Sequence, residues 1–480
     1  MIWKENFIAH NDGTALASHA MPLSGTQASM RIKLLPLILG SLLVAPVAHG
    51  EDLMDAFRQA IANDPVLATS NATRLAVAEG VPQARAALLP QLSAGLDINQ
   101  VHGGPGGTTI VNGNSVNTGA GHTRQRDFTA QLDQSVIDLS RIANLRAAQS
   151  TRDSQDEVDR AALQNLYIRV TSAYFNVLVA QEQLEVDKSY EDAYKKEFEQ
   201  SSERFKDGLA MAADVTQSQA YYNFIKSQRI SAMDALKDAN RALEQITGKE
   251  TQTLKTLRED IPMQGPTPAD AKAWVDAAME TNPTILAARY TVKADEHKVR
   301  AARAGHLPTL SLGLGYNKFG TWSNVNQGDT GQIGPGYGPG TTTVGLTLSV
   351  PVFSGGLTQS QVHQAIYQRD ADQGVLESQR RQAARDAYNF YNQVVDGIEQ
   401  VSSAKLSVEA AKKSLESMRA GNDIGTQSLT NVVVAIQVLA EAQSEYTVVR
   451  HQFVLNKLLL KQAAGTIDLH DIEDVNRLLQ

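Results

Sequence analysis

The chain has 480 residues, 44 basic against 52 acidic, a net charge of −8 and no cysteine. That balance argues against a nucleic-acid partner, which would want a basic face. The missing thiol excludes disulfides, cysteine zinc sites and a lipid anchor on an N-terminal cysteine, and it suits an exported protein.

Residues 1–29 carry no pattern and read as an over-long start, with translation beginning at Met30. Met30-Arg31-Ile32-Lys33 is a short basic start, and Leu34 to Val44 is an apolar run too short to span a bilayer as a mature helix. Ala48-His49-Gly50 is a small-x-small end. Residues 30–50 therefore read as a Sec signal peptide cut between Gly50 and Glu51.

The first structural repeat is expected over 51–248. Glu51 to Asn63 has the pattern of a short amphipathic helix, and Pro65 suits the first position of another that runs to about Leu88. In Ala84-Arg85-Ala86-Ala87-Leu88-Leu89-Pro90 the helix gives way, because the residue before a proline is pushed out of the α region. The period then switches to two over about 91–101: Leu92, Ala94, Leu96 and Ile98 lie opposite Ser93, Gly95, Asp97 and Asn99. Residues 102–123 read as a Gly/Asn/Thr loop. Its Gly-Gly-Pro-Gly-Gly lacks the context of a phosphate cradle. A return strand over about 124–136 sets Phe128, Ala130, Leu132 and Val136 against Thr129, Gln131, Asp133 and Ser135.

From about 140 to 206 the chain has no proline or glycine, which allows a helix of about 100 Å. Leu163, Leu166, Val170, Ala173, Val177 and Leu184 keep the spacing of a narrow coiled-coil seam. Asp207-Gly208 breaks it. A second long helix follows over about 212–247, with Gly248 as its C-cap.

Residues 249–268, with Pro262, Pro266 and Pro268, form a linker, and the pattern begins again over 269–465. Short helices are expected at Ala271–Thr281 and Pro283–Ala304. Strands are expected over about 309–319 and 341–352, and long helices over about 354–419 and 428–464. The joint Ala302-Arg303-Ala304-Gly305-His306-Leu307-Pro308 repeats the earlier one: 218 residues separate Arg85 from Arg303, Pro90 from Pro308 and Pro65 from Pro283. Gly208 to Gly425 and Gly248 to Gly465 are each 217. The chain is a duplicated unit. The tail 466–480 carries one short helix.

Each strand is long enough to cross a bilayer when tilted, with one apolar face and one small or polar face, as in a lipid-embedded barrel. Tyr316, Phe319, Trp322 and Tyr337 fit an aromatic girdle at one end. Open sheet edges are not viable in lipid, so four strands must close with other copies. Two chains would give about eight strands, a barrel filled by its own side chains, and three would give about twelve, wide enough for water. The long helices of three chains could continue that bore into the periplasm.

The two Ala-Arg-Ala-x-x-Leu-Pro joints resemble the TolC family of outer-membrane export channels. So do Pro351-Val352-Phe353-Ser354-Gly355-Gly356 and Arg204-Phe205-Lys206-Asp207-Gly208-Leu209 before Asp214-Val215. Gly425-Thr426 before Asn431-Val432, Gln245-Ile246-Thr247-Gly248 and Ala463-Ala464-Gly465 complete the set. The resemblance implies an α+β membrane protein: a homotrimeric twelve-stranded β-barrel in the outer-membrane lipid, continued by a periplasmic α-helical barrel. It implies docking by a periplasmic adaptor, the membrane fusion protein, and an inner-membrane pump of RND or ABC type. The hairpin ends Gly208, Leu209 and Val215, with Gly425, Thr426 and Val432, would meet the adaptor. In the family's type member the second hairpin closes the entrance with aspartates and an arginine. By position Asn431 and Val434 replace the aspartates and Gln427 the arginine, so only Asp214 on the first hairpin keeps an acid.

No nucleophile, phosphate-binding or metalloprotease motif occurs, and the ten histidines are scattered without metal-ligand spacing. No enzyme activity and no cofactor are expected. Carboxylates such as Glu182 and Glu185, beside Lys188, read as a solvated helical surface. The expected function is a passive exit duct for small-molecule efflux or type I protein secretion. The alternative, a periplasmic coiled-coil adaptor or scaffold without a pore, leaves the four lipid-type strands unexplained.

Overall fold

The computed structural model describes residues 50–480 except 103–106, 112–113, 119–120, 252 and 326–335, and gives backbone alone over 101–123 and 321–337. The expected signal peptide and the segment before it, and the side chains of Trp322 and Tyr337, lie outside the described residues.

Helix α1 (Leu53–Asn63) opens on a capping box between Asp52 and Asp55. Asp64 then caps α2 (Pro65–Ala78). The helix expected to run unbroken to Leu88 divides at Glu79, and α3 (Gly80–Ala86) follows. The cause is local: Gly80 weakens the helix, and Pro82 removes the amide that α2 would need to continue.

Strand β1 (Gln91–His102) leads to a short hairpin, β2 (Gly107–Val111) and β3 (Asn114–Thr118), inside the stretch read from sequence as loop. Its Thr, Ile and Val residues supply enough β-propensity for the two strands to pair. Strand β4 (Gly121–Ile137) returns. In the second half come β5 (Thr309–Val325), β6 (Gly336–Tyr337) and β7 (Thr341–Ser349). Strand β5 outruns its expected end because β4 and β6 both pair with its distal part. Strand β7 stops at Ser349, before Pro351, which has no amide to donate.

The main sheet is antiparallel, β1-β4-β5-β7, with β1 and β7 at its edges. Its register sorts the side chains cleanly. Leu92, Leu132, Leu314 and Val344 stand in one cross-strand row, and Leu96 is opposite Phe128 on the same face. The other face carries rows such as Ser93, Gln131, Gly315 and Thr343, or Asp133, Gly313 and Gly345. Tyr316 shares the apolar face, but Phe319 pairs with Asp127 on the polar one. Phe319 thus leaves the expected girdle, because an odd offset from Tyr316 reverses the side of a strand.

Four long helices complete the chain: α4 (Leu139–Lys206, 68 residues), α5 (Ala212–Thr247, 36), α8 (Leu357–Asp423, 67) and α9 (Leu429–Ala463, 35). Helices α6 (Ala271–Thr281), α7 (Pro283–Ala304) and α10 (Leu469–Asn476) are shorter. Helix α4 packs against α5 and α7, α7 against α8, and α8 against α9.

The principal core lies midway along the long helices. Leu166, Tyr174, Leu178 and Phe453 meet Phe57 of α1 there, closed over by Leu257, Ile472 and Leu479. Phe57 stacks on Tyr167 with ring centroids 4.8 Å apart. The Tyr174 hydroxyl lies 3.0 Å from the Glu51 carbonyl and 2.9 Å from that of Lys255, which stitches α4 to the segment ahead of α1 and to the linker. Gly465 turns the chain out of α9 at φ +75°, where an added Cβ would lie 2.5 Å from the Thr281 carbonyl. Only glycine fits both the backbone and the space.

Candidate functional site

Two places in the fold expose groups that a single copy leaves unsatisfied: the sheet, and the turns that close the two long hairpins. On the sheet, Leu92 is 75 % exposed and Leu346 65 %. Beyond their one cross-strand neighbour, these apolar residues on both edge strands are left open by the rest of the chain. The opposite face is small and polar, with no lysine or arginine in the rows given above.

Gly208 ends the α4 turn at φ +73°, and the Leu209 amide donates to the Arg204 carbonyl at 2.7 Å, the closing bond of a helix end with a left-handed glycine. Leu209 and Met211 project outward, 70 % and 73 % exposed. Asp214 sits in the first turn of α5 and accepts the Met211 amide at 3.2 Å, a capping role that also suits the helix dipole. Val215 is half-buried.

The second tip is built alike. Gly425 has φ +78°, and the amides of Thr426 and Gln427 both donate to the Gly421 carbonyl, at 2.8 and 3.1 Å. Ser428 caps α9 through the Asn431 amide at 3.3 Å. The Asn431 side-chain amide donates to Oε1 of Gln427, just ahead of the α9 cap, at 2.8 Å, and Asn431 shares a face of α9 with exposed Val434. Among the expected adaptor contacts Val432 is corrected: it is 1 % exposed and packs into the core shared by the hairpins. A neighbour of Asn431 on a helix turns away from it by about 100°, so one of the two must face inward. Ile424, 77 % exposed, takes the outward place at this tip and was passed over in the sequence.

The hairpins are tied to each other near these ends. Thr430 Oγ1 lies 3.1 Å from Gln217 Oε1, the Tyr194 hydroxyl donates to the Val433 carbonyl at 3.2 Å, and the Tyr190 hydroxyl reaches Gln443 Oε1 at 2.6 Å. Burial pushes the Glu197 carboxyl above its ordinary range, against the pull of Arg419 and with Asp423 adding to the rise. None of these links has a sequence signature, since each joins residues far apart in the chain. Asp214 lies on one hairpin and the Gln427–Asn431 pair on the other. No bond joins them among the described residues.

Higher up, Glu182 is not the solvated surface acid expected. Arg450, 4 % exposed, donates to both its oxygens at 2.9 and 3.1 Å, and Thr447 Oγ1 donates at 2.8 Å. His451 lies 4.0 Å from the same carboxylate, its imidazole lowered by burial against the pull of Glu182. Glu185 and Lys188 do form the expected exposed pair, at 2.7 Å. Among the described residues no three His, Asp or Glu side chains are placed to hold a metal. At the start of the described chain, Glu51 donates its amide to the Thr253 carbonyl at 2.8 Å, and its carboxylate accepts from Gln59.

Comparison with known proteins gives one consistent result. The family model "Outer membrane efflux protein" matches residues 56–249 and again 274–466. The chain is 31 % identical to the outer membrane protein TolC of Vibrio cholerae, over 92 % of this chain and 98 % of that protein. It is 30 % identical to TolC of Escherichia coli, over 93 % and 89 %, and 27 % identical to the alkaline protease secretion protein AprF of Pseudomonas aeruginosa, over 90 % and 88 %. Among solved structures, the Campylobacter jejuni CmeC outer membrane channel superposes with a TM-score of 0.72 at 17 % identity, each chain 90 % covered. The outer membrane protein VceC from Vibrio cholerae gives 0.71 at 16 % identity, covering 86 % of this chain and 96 % of that one.

Proposed function

Because the chain belongs to the outer membrane efflux protein family, we propose that it works as a homotrimer whose copies complete one another's sheet. It is an outer-membrane exit duct for efflux or type I secretion. The observation that carries the trimer is the sheet: four antiparallel strands, apolar on one face and small or polar on the other, with the outer edges of β1 and β7 left open. Pairing β7 of one copy with β1 of the next removes every edge, which lipid demands. Three copies give about twelve strands and a water-filled bore.

The long hairpins continue that bore through the periplasm. At the far end, Asp214, Gln427 and Asn431 line the entrance, and Gly208, Leu209, Val215, Gly425 and Thr426 meet a periplasmic adaptor, which couples the duct to an inner-membrane pump of RND or ABC type. The duct itself is passive, and the pump drives the cargo. Cleavage between Gly50 and Glu51 would release the chain at the point where its packed body begins. AprF and PrtF are named for protease secretion and BepC for efflux, and a duct of this build serves either cargo.

The test is direct. Purified protein in mild detergent is a trimer by light scattering and conducts in planar lipid. A monomer without conductance overturns the reading. Crosslinks from positions 208–215 recover an adaptor, and a deletion strain identifies the cargo. Sensitivity to detergents and dyes marks small-molecule efflux, and loss of one secreted protein with unchanged drug tolerance marks type I secretion.

A further inference from the structure

The repeated helix-to-strand joints carry a charge pattern that the duct does not need. The segments 80–90, 139–148, 299–308 and 350–360 flank the four strands on their helical side. They hold Arg85, Arg141, Arg146, Arg300 and Arg303 and no aspartate or glutamate, in a chain whose net charge is −8. Two acids lie immediately outside them: Glu79, at the end of α2, and Asp138, which caps α4 and pairs with Arg141 at 3.1 Å. Arg85, Arg146, Arg300 and Arg303 are exposed, and none of them meets a carboxylate among the described residues.

Their side of the wall follows from α7. Arg289, Lys293, Glu296, Arg300 and Arg303 recur every three or four residues and are all exposed, so they form one stripe. Helix α4 meets α7 from another side, where Ser154 Oγ donates to the Ala287 carbonyl at 2.8 Å, and Thr358 of α8 approaches Gly305. The stripe lies clear of both contacts, and the proposal below takes it as the outward side of the wall. Arg146 of α4 comes near it: after burial, Arg300, Arg146 and Lys293 hold the His297 imidazole low. Arg85 and Arg303 lie in the last turns of α3 and α7, six residues before β1 and β5, and Arg146 and Arg300 lie nine residues from the nearest strand ends. Exposed Leu89, Leu307 and Phe353 stand between them and the sheet.

We propose that this collar binds the headgroups of anionic phospholipids in the periplasmic leaflet, phosphatidylglycerol above all. The proposal rests on the outer-membrane placement of the strands. The depth matches the headgroup layer beneath a hydrocarbon core of about 30 Å. A guanidinium offers a phosphate two parallel donors, and the apolar side chains just above would lie along the first acyl carbons.

The test uses the intact protein in nanodiscs of phosphatidylcholine alone or with one fifth phosphatidylglycerol. Insertion is read first, by heat-modifiable migration. Lipid retained by the protein is then counted by native mass spectrometry. The natural chain enters both discs and is enriched in phosphatidylglycerol, less so at high salt. Each of Arg85→Gln, Arg300→Gln and Arg303→Gln lowers that enrichment, by about fivefold for a headgroup-depth arginine. Lys293→Gln, on the same stripe but about 15 Å further along α7 from the strands than Arg303, leaves it unchanged. Insertion without lipid preference, or equal enrichment in the triple arginine variant, overturns this proposal alone. A protein that enters neither disc overturns the membrane reading and this proposal with it.

Discussion

Arg169 of α4 grips Asp64 with both terminal guanidinium nitrogens, at 3.1 and 2.6 Å, and Asp64 is at the same moment the cap of α2 through the Leu67 amide at 2.8 Å. The Asp64 side chain is only 2 % exposed. One carboxylate thus fixes both where α2 starts and where it leans. Burial by itself would raise this carboxyl. The Arg169 ion pair and the amides of Leu67 and Val66 outweigh it and hold the group below its usual range.

Acid should therefore weaken this joint. A carboxyl that ionises lower in the folded chain than in the unfolded one stabilises fully above the unfolded value, about 3.9 for aspartate, and loses its effect as pH falls through the lower folded value. Thermal melts between pH 7 and pH 2 should show stability falling in that acid limb. Arg169→Ala should cost about 3 kcal/mol at pH 7, because it leaves a buried charge unpaired, and should flatten the limb.

The two faces of the sheet should respond differently to the same substitution. Leu346→Arg places a cation on the apolar face and should cost up to about 2–4 kcal/mol according to its depth, lowering the yield of heat-modifiable trimer on gels. Thr129→Arg, on the polar face, should leave the trimer intact and change its conductance in planar lipid.

The entrance should be indifferent to divalent cations. Gln427 and Asn431 hydrogen-bond each other at 2.8 Å and carry no charge, and Asp214 is engaged in capping its own helix. Millimolar magnesium should leave single-channel conductance within about twofold, and Asn431→Asp should make it magnesium-sensitive, as three added carboxylates at one level attract the ion. Block of the unaltered protein would point to Asp214 instead.

The contact between Thr430 and Gln217 should act as a latch between hairpins. Losing one neutral hydrogen bond of this kind is worth about 1 kcal/mol, so Gln217→Ala should raise the open fraction about fivefold in conductance records. Tyr194→Phe, which removes the 3.2 Å bond to Val433, should move it the same way.

The membrane sheet and the long rods were legible because their signals are local. Alternation in Leu92 to Ile98 and in Val344 to Ser349, and the absence of helix breakers from 140 to 206, need no knowledge of partners. The limits of that reading are equally physical. Periodicity allowed a helix through Glu79, where Gly80 and Pro82 together end one. It placed Phe319 with Tyr316 by proximity, although their spacing reverses the side. At the tips, motif position put Val432 among the contact residues, but a helix turns each residue away from the last, and only the packed structure says which one is inside. Glu182 looked like any surface acid until Arg450, 268 residues on, was folded against it.

The two bare edges of the sheet also govern how the protein reaches its place. A lone copy can neither shelter β1 and β7 in lipid nor leave them safely in water, where they would join any passing strand. In the trimer proposed above, insertion waits for collision with its like. Its rate should climb steeply with the amount of newly exported chain and stall when that supply is dilute.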